Sequence, residues 1–163
     1  IKILEKKVTE QEKKVAERQA EEAIKIIKGK CHCPVDIEIS YQETLSTGSG
    51  ITLWAVFGKD GETNPDNPCI LGADALGEPG KPAKEVGEEA ACRLIEEIDT
   101  GAAVDEHLQD QLLPFMALLP GSTMRFHTLT EHAKTNMYVI EQFLPVKFAV
   151  EGNVITAEKR DKK

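Results

Sequence analysis

A chain of 163 residues, 40% hydrophobic and 29% charged, fits one ordinary globular domain or two small ones and not a disordered polymer. Lys and Arg number 20 against 28 Asp and Glu, a formal net charge of -8, which argues against a dense basic face built to grip nucleic-acid backbone. Five Phe, two Tyr and one Trp are too few for an extensive base-stacking platform, and no apolar run approaches the ~18–20 residues that cross a bilayer.

Ile1 to Lys14 is charge-rich and ambiguous. From Val15, VAERQAEEAIKIIKG places Val15, Ala16, Gln19, Ala23, Ile26 and Ile27 near one helical face, and Gly29 is read as the stop. VDIEISY then alternates strictly, with Val35, Ile37, Ile39 and Tyr41 on one side, which predicts a half-buried strand. STGSG reads as a loop and ITLWAVF as a second strand. GKDGETNPDNP is a long turn-rich connection, and CILGADAL is a third strand. Pro82 suits the start of a helix carrying Val86, Ala90, Cys92-Arg93-Leu94 and Ile98 at mixed spacing of three and four.

After Asp99-Thr100-Gly101, AAVDEHLQDQLLPFMALL reads as a helix with Leu108, Leu112, Phe115, Met116 and Leu119 inward. TMRFHTL is a short strand. TEHAKTNMYVIEQFL is a helix with Ala133, Met137, Ile140 and Leu144 on its buried stripe. KFAVEG and NVITAEK close the chain as a hairpin turning at Gly152-Asn153. The fold class is therefore α/β of the two-layer α+β kind: a small αβββα unit, then a βα-type segment.

Four cysteines are present, Cys31, Cys33, Cys69 and Cys92, and a chain of this size needs no disulfide staples. Cys31-His32-Cys33 lacks the C-x₂₋₄-C knuckle and the second ligand pair of a structural zinc site, so the thiols are read as reduced and partly buried, with no metal. STGSG lacks the Lys-Ser/Thr ending of a phosphate loop.

The strongest candidate for chemistry is His132. Thr128 with Glu131 three residues on forms a capping-box pattern, which places His132 in the first turn of its helix, off the apolar stripe. Unpaired N–H groups at a helix start attract phosphate and favour a neutral imidazole, the setting a histidine needs to attack phosphorus. A surface histidine without a role fits the same spacing. In the preceding helix His107, Asp110 and Gln111 stand on neighbouring positions of one side, where they could orient a ribose, a base edge or the His132 ring. A solvated polar face is the competing reading.

VAERQAEEA, GSGITLWA, LGADALGEPGKPAKEVG, GAAVDEHLQDQL and HAKTNMYVIEQFL, in this order from Val15 to Ile155, resemble the C-terminal half of RNA 3′-terminal phosphate cyclases. The resemblance implies ligase-like nucleotidyl transfer: a histidine is adenylated by ATP, AMP passes to an RNA 3′-phosphate, and the 2′-OH closes a 2′,3′-cyclic phosphate. It carries the nucleophile onto His132. It carries the nucleotide-contacting segment onto His107, Leu108, Gln109, Asp110 and Gln111, with Asp110 and Gln111 as direct contacts. It implies Mg²⁺ or another divalent cation with ATP, RNA 3′-phosphate ends as partners, and a cytoplasmic protein without membrane contact.

By the same resemblance, residues 15–97 are the inserted small domain after an ambiguous lead-in over 1–14, and residues 98–163 return to the catalytic domain. Family members are about twice this length, and an N-terminal half would supply acidic and basic residues around ATP and RNA. The charge agrees with that division: 13 basic and 19 acidic residues precede Ile98, 7 and 9 follow, so the deficit lies mostly in the inserted unit. The rival readings are a non-catalytic cyclase-like scaffold in ribosomal RNA maturation and a plain interaction module.

Overall fold

The computed structural model describes residues 2–5, 13–41, 45–46, 48–58, 62–63, 66 and 69–160. The elements run β1 (Lys2–Glu5), α1 (Lys13–Lys30), β2 (Asp36–Ile39), β3 (Ser49–Phe57), β4 (Cys69–Gly77) and α2 (Ala83–Asp99). They continue with α3 (Glu106–Leu118), β5 (Thr123–Arg125), α4 (Glu131–Phe143), β6 (Val146–Glu151) and β7 (Val154–Lys159). The chain divides into two compact units, Ile1–Glu96 and Glu97–Lys163. The α+β class stands. The ambiguous lead-in contributes β1, and the segment between β1 and α1 lies outside the described residues, as does most of the turn-rich connection before Cys69.

The first unit holds a four-stranded sheet of order β2-β1-β3-β4. β1 runs parallel to β2, with α1 between them in sequence, and antiparallel to β3, which pairs antiparallel with β4. Register pairs Ile51 with Ala75, Leu53 with Ala73 and Ala55 with Leu71. All six are buried, so period-two alternation turns one face of β3 and β4 into the core. Ala16, Ala20, Ala23 and Ile27 of α1 and Val86, Ala90 and Leu94 of α2 complete it.

Small residues let the helices approach closely. A Cβ on Gly87 would stand 2.2 Å from the Gln19 carbonyl oxygen, so only glycine fits where α2 meets α1. The Arg93 guanidinium donates to the Asp74 carbonyl of β4 at 3.1 Å and pairs with Glu89 at 2.6 Å. Lys81 also bonds Glu89; that bond first, with the neighbouring cations, outweighs burial and holds the Glu89 carboxyl below the usual carboxylate range.

Four expectations change here. β2 is not half-buried: every residue from Asp36 to Ile39 is exposed, unlike the other edge strand, β4, whose Leu71, Ala73 and Ala75 are covered. α1 runs through Gly29 to Lys30. β3 begins at Ser49, so the end of STGSG is strand. The four thiols are unbridged, but Cys69 and Cys92 are exposed and only Cys31 and Cys33 are half-buried. No helix among the described residues is long and apolar enough to cross a membrane.

In the second unit, β5, β7 and β6 form an antiparallel sheet in that order. The β6–β7 hairpin turns at Gly152, whose φ of +59° is the left-handed conformation that glycine tolerates. Leu113, Met116 and Ala117 of α3 and Ala133 and Met137 of α4 pack with Phe148, Ile155 and Ala157 of the sheet. Ile140 and Leu144 lie against the same cluster, so the stripe expected for α4 holds.

The stripe expected for α3 holds only in part: Met116 is in the core and Leu112 lies against it. Phe115 is 64% and Leu119 69% exposed and Leu108 is exposed too, while Gln109 is buried. The buried residues of α3 are Gln109, Leu113, Met116 and Ala117, so its inward face carries Leu113 and Ala117 in place of Phe115 and Leu119.

Candidate active site

The second unit sets the candidate residues on two helix starts. Asp105 caps α3: its carboxylate accepts the backbone N–H of His107 at 3.1 Å and of Leu108 at 2.8 Å. His107 therefore sits in the first turn with its side chain exposed, 3.7 Å from the Glu106 carboxylate. Gln111 stands one turn on and donates its side-chain amide to the His107 carbonyl at 2.9 Å. Leu108 is also at the surface.

α4 begins two residues later than the sequence pattern indicates. Its N-cap is Thr130, whose hydroxyl accepts the Ala133 N–H at 3.1 Å; Thr128 is not the cap. Glu131 is thus the first helical residue, and its carboxylate binds the Lys134 ammonium at 2.6 Å instead of closing a capping box. His132 is second in the helix, exposed, and makes no side-chain hydrogen bond or ion pair with a described residue. A ring so placed is open to an incoming electrophile beside backbone N–H groups that favour anions.

The two starts are tied together. Asn136, one turn beyond His132 on α4, donates to the Asp110 carboxylate at 3.3 Å and to its carbonyl at 3.5 Å. The link joins the α4 turn next to His132 to the α3 turn next to His107 and Gln111. Asp110 is half-buried and keeps a second carboxylate oxygen besides Oδ2, which Asn136 holds.

Gln109 stands apart from its neighbours in the segment. It is 1% exposed. Its Nε2 donates to the Thr128 carbonyl at 3.1 Å, and its Oε1 accepts the Thr130 backbone N–H at 2.9 Å and the Thr130 hydroxyl at 3.1 Å. Sequence reasoning missed Thr130 and Asn136. No local pattern finds them, because their partners lie 21 and 26 residues away.

Elsewhere in the unit, Glu141 near the end of α4 accepts the Phe148 N–H at 2.8 Å and the Lys147 ammonium at 2.8 Å. Burial opposes its ionisation, but the Lys147 bond, the Phe148 N–H and the charges of Lys147 and Arg160 outweigh it, so the carboxyl lies below the usual range. An open apolar hollow of about 230 Å³, lined by Leu112, Phe115, Met116, Leu119 and Met124 among others, contains neither His132 nor any residue of 107–111.

Comparison with known proteins gives the frame for this geometry. The family described as RNA 3′-terminal phosphate cyclase, insert domain, matches residues 7–99. The RNA 3′-terminal phosphate cyclase of Methanopyrus kandleri is 44% identical over 155 residues, covering 90% of this chain and 42% of that protein. That of Pyrococcus furiosus is 41% identical over 141 residues, 86% of this chain and 38% of the relative. That of Methanosarcina mazei is 47% identical over 114 residues, 70% of this chain and 29% of the relative. The chain spans about two fifths of the first two relatives' length.

Proposed function

The chain belongs to the RNA 3′-terminal phosphate cyclase family, and from that premise we propose that it carries the nucleophile of an ATP-dependent RNA 3′-phosphate cyclase, with His132 as the adenylated residue. The observation that carries this reading is the exposed, unengaged imidazole in the first turn of α4. A ring nitrogen of His132 uses its lone pair to form a bond to the α-phosphorus of ATP, as the bond to the pyrophosphate oxygen breaks.

An oxygen of the RNA 3′-phosphate then takes the adenylyl group from nitrogen. The vicinal 2′-OH attacks the activated 3′-phosphorus, loses its proton and expels AMP, leaving the 2′,3′-cyclic phosphate. Asp110, Gln111 and His107 would fix ribose and base by hydrogen bonds, with Leu108, exposed beside them, giving apolar contact. A divalent cation, Mg²⁺ by preference, shields phosphate charge when bound with ATP. The one Asp110 oxygen that Asn136 leaves open serves the ribose, so the cation would be held through phosphate and water oxygens.

We assign residues 15–97 to the inserted domain and 98–163 to a segment of the catalytic domain, in a cytoplasmic protein acting on RNA 3′-phosphate ends. The full-length protein, incubated with ATP labelled at the α-phosphorus and Mg²⁺, should take up covalent label that is lost in His132→Ala. Label that survives in the variant refutes the assignment. A folded wild type without label supports the scaffold reading instead.

A further inference from the structure

Within the segment from His107 to Gln111, one side chain cannot act as its neighbours do. We propose that Gln109 is a positioning residue: it contacts no nucleotide, and its buried amide fixes the N-cap of α4 and so the turn that presents His132. The proposal rests on the reading of His132 as nucleophile.

A glutamine amide has two donor hydrogens and two acceptor lone pairs. At 1% exposure Gln109 has one donor bond to Thr128 and two acceptor bonds from Thr130. Both lone pairs of Oε1 are thereby used, and neither nitrogen nor oxygen is offered to solvent.

The chain of contacts from Gln109 to His132 is short and directional. Oε1 holds both the backbone N–H and the hydroxyl of Thr130. With its proton given to Oε1, the hydroxyl turns a lone pair toward the Ala133 N–H, which makes Thr130 the cap. The Thr130 carbonyl accepts the Lys134 N–H at 3.1 Å. His132 lies between these two anchored residues. Leu129, packed against the core, holds the other side of Thr130. Nucleophilic attack needs the ring held in near-attack geometry, where small misplacements cost large factors in rate.

The test uses the full-length protein and four variants: Gln109→Leu, Thr130→Val, Thr130→Ser, and the Gln109→Leu/Thr130→Val double. Formation of the labelled histidine is followed as a function of ATP concentration. Gln109→Leu and Thr130→Val should each slow adenylylation at saturating ATP by about tenfold while leaving the half-saturating ATP concentration within about twofold. Thr130→Ser, which keeps the hydroxyl, should restore the rate. The double variant should resemble either single variant, not the product of their losses, because both break one device.

A raised half-saturating ATP concentration with an intact saturating rate in Gln109→Leu would make it a nucleotide contact and overturn the proposal. So would losses that multiply in the double. If Gln109→Leu does not fold, Thr130→Val against Thr130→Ser decides on the same criteria.

Amide hydrogen exchange gives a readout independent of activity. Gln109→Leu should speed exchange at Ala133 and Lys134 at least tenfold relative to Leu144, at the far end of α4. Uniform exchange along α4 overturns the positioning role even if His132 proves not to be the nucleophile. Failure of the His132 assignment shows separately, as label surviving His132→Ala.

Discussion

Each unit buries one glutamine to 1% exposure, Gln19 in the first and Gln109 in the second, and the two are held in opposite ways. Gln109 fills both acceptor positions and a donor position with backbone and hydroxyl partners of another segment. Gln19 donates once, to the Ser49 hydroxyl at 3.2 Å, and its Oε1 has no partner among the described residues. The helix pairs around them differ accordingly. α1 and α2 approach where Gly87 lies against the Gln19 backbone, whereas α3 and α4 are joined by side-chain-to-backbone bonds and the Asp110–Asn136 link. Apolar packing by small residues sets a distance; directed polar bonds set an orientation, which a unit presenting a reactive ring requires.

The comparison breaks most visibly at Gln109. Leucine there leaves the Thr130 N–H and the Thr128 carbonyl without their buried partner, a loss of about 3 kcal/mol at the cost of about 1–3 kcal/mol per unsatisfied group. Denaturant unfolding of the full-length protein, with exchange read separately in α3–α4 and α1–α2, should place that loss in the second unit alone. Next in size is Gly87→Ala. Its Cβ meets the Gln19 carbonyl, a backbone atom that cannot swing away. Overpacking of this kind costs about 2 kcal/mol net of the gain in helix propensity. The same measurement should find α1–α2 loosened and the His132 region unchanged.

How much of this was legible in the sequence follows from the range of the interactions. The α4 stripe of Ala133, Met137, Ile140 and Leu144 and the Gly152-Asn153 hairpin rest on local spacing, and both are present. The inward face of α3 was misread because LQDQLLPFMALL offers two apolar stripes. The buried stripe is the one on the face of Gln109, which bonds the loop before α4. The same bond decides between Thr128 and Thr130 as cap. Either threonine has a suitable hydroxyl, but only Thr130 is held at its N–H by a side chain from α3. The alternation in β2 separates the two faces of a strand but does not say whether either is covered, and here neither is. His132 itself was found at the first turn, where its exposure gives the proposed chemistry its access.

Glu141 sharpens the contrast within the second unit, since its bonds join α4 to β6 far from the N-cap. Its folded carboxyl is held below the ordinary range. The stabilisation is therefore fully present above the unfolded value, near 4.3 for glutamate, and is lost as pH falls through the folded value. Glu141→Gln keeps an acceptor for the Phe148 N–H and gives up the charge. It should cost about 1 kcal/mol at pH 7, and the difference from wild type should vanish in strong acid. A difference that persists at low pH would mean that packing and not charge is what Glu141 contributes.

The smallest expected effect tests the comparison most severely, because it uses the substitution with the largest effect on the other glutamine. Gln19→Leu removes one buried donor and one buried acceptor together. The acceptor has no partner to lose among the described residues, and the donor has one, the Ser49 hydroxyl, which can turn to another donor where the backbone groups held by Gln109 cannot. Replacing a buried polar group by an apolar one of similar shape is close to neutral when no partner is stranded. The stability of the first unit should therefore change by less than about 1 kcal/mol in either direction. If Gln19→Leu instead destabilises as strongly as Gln109→Leu, burial rather than connectivity fixes what a core glutamine is worth here, and the case for Gln109 as a directed tie loses its contrast.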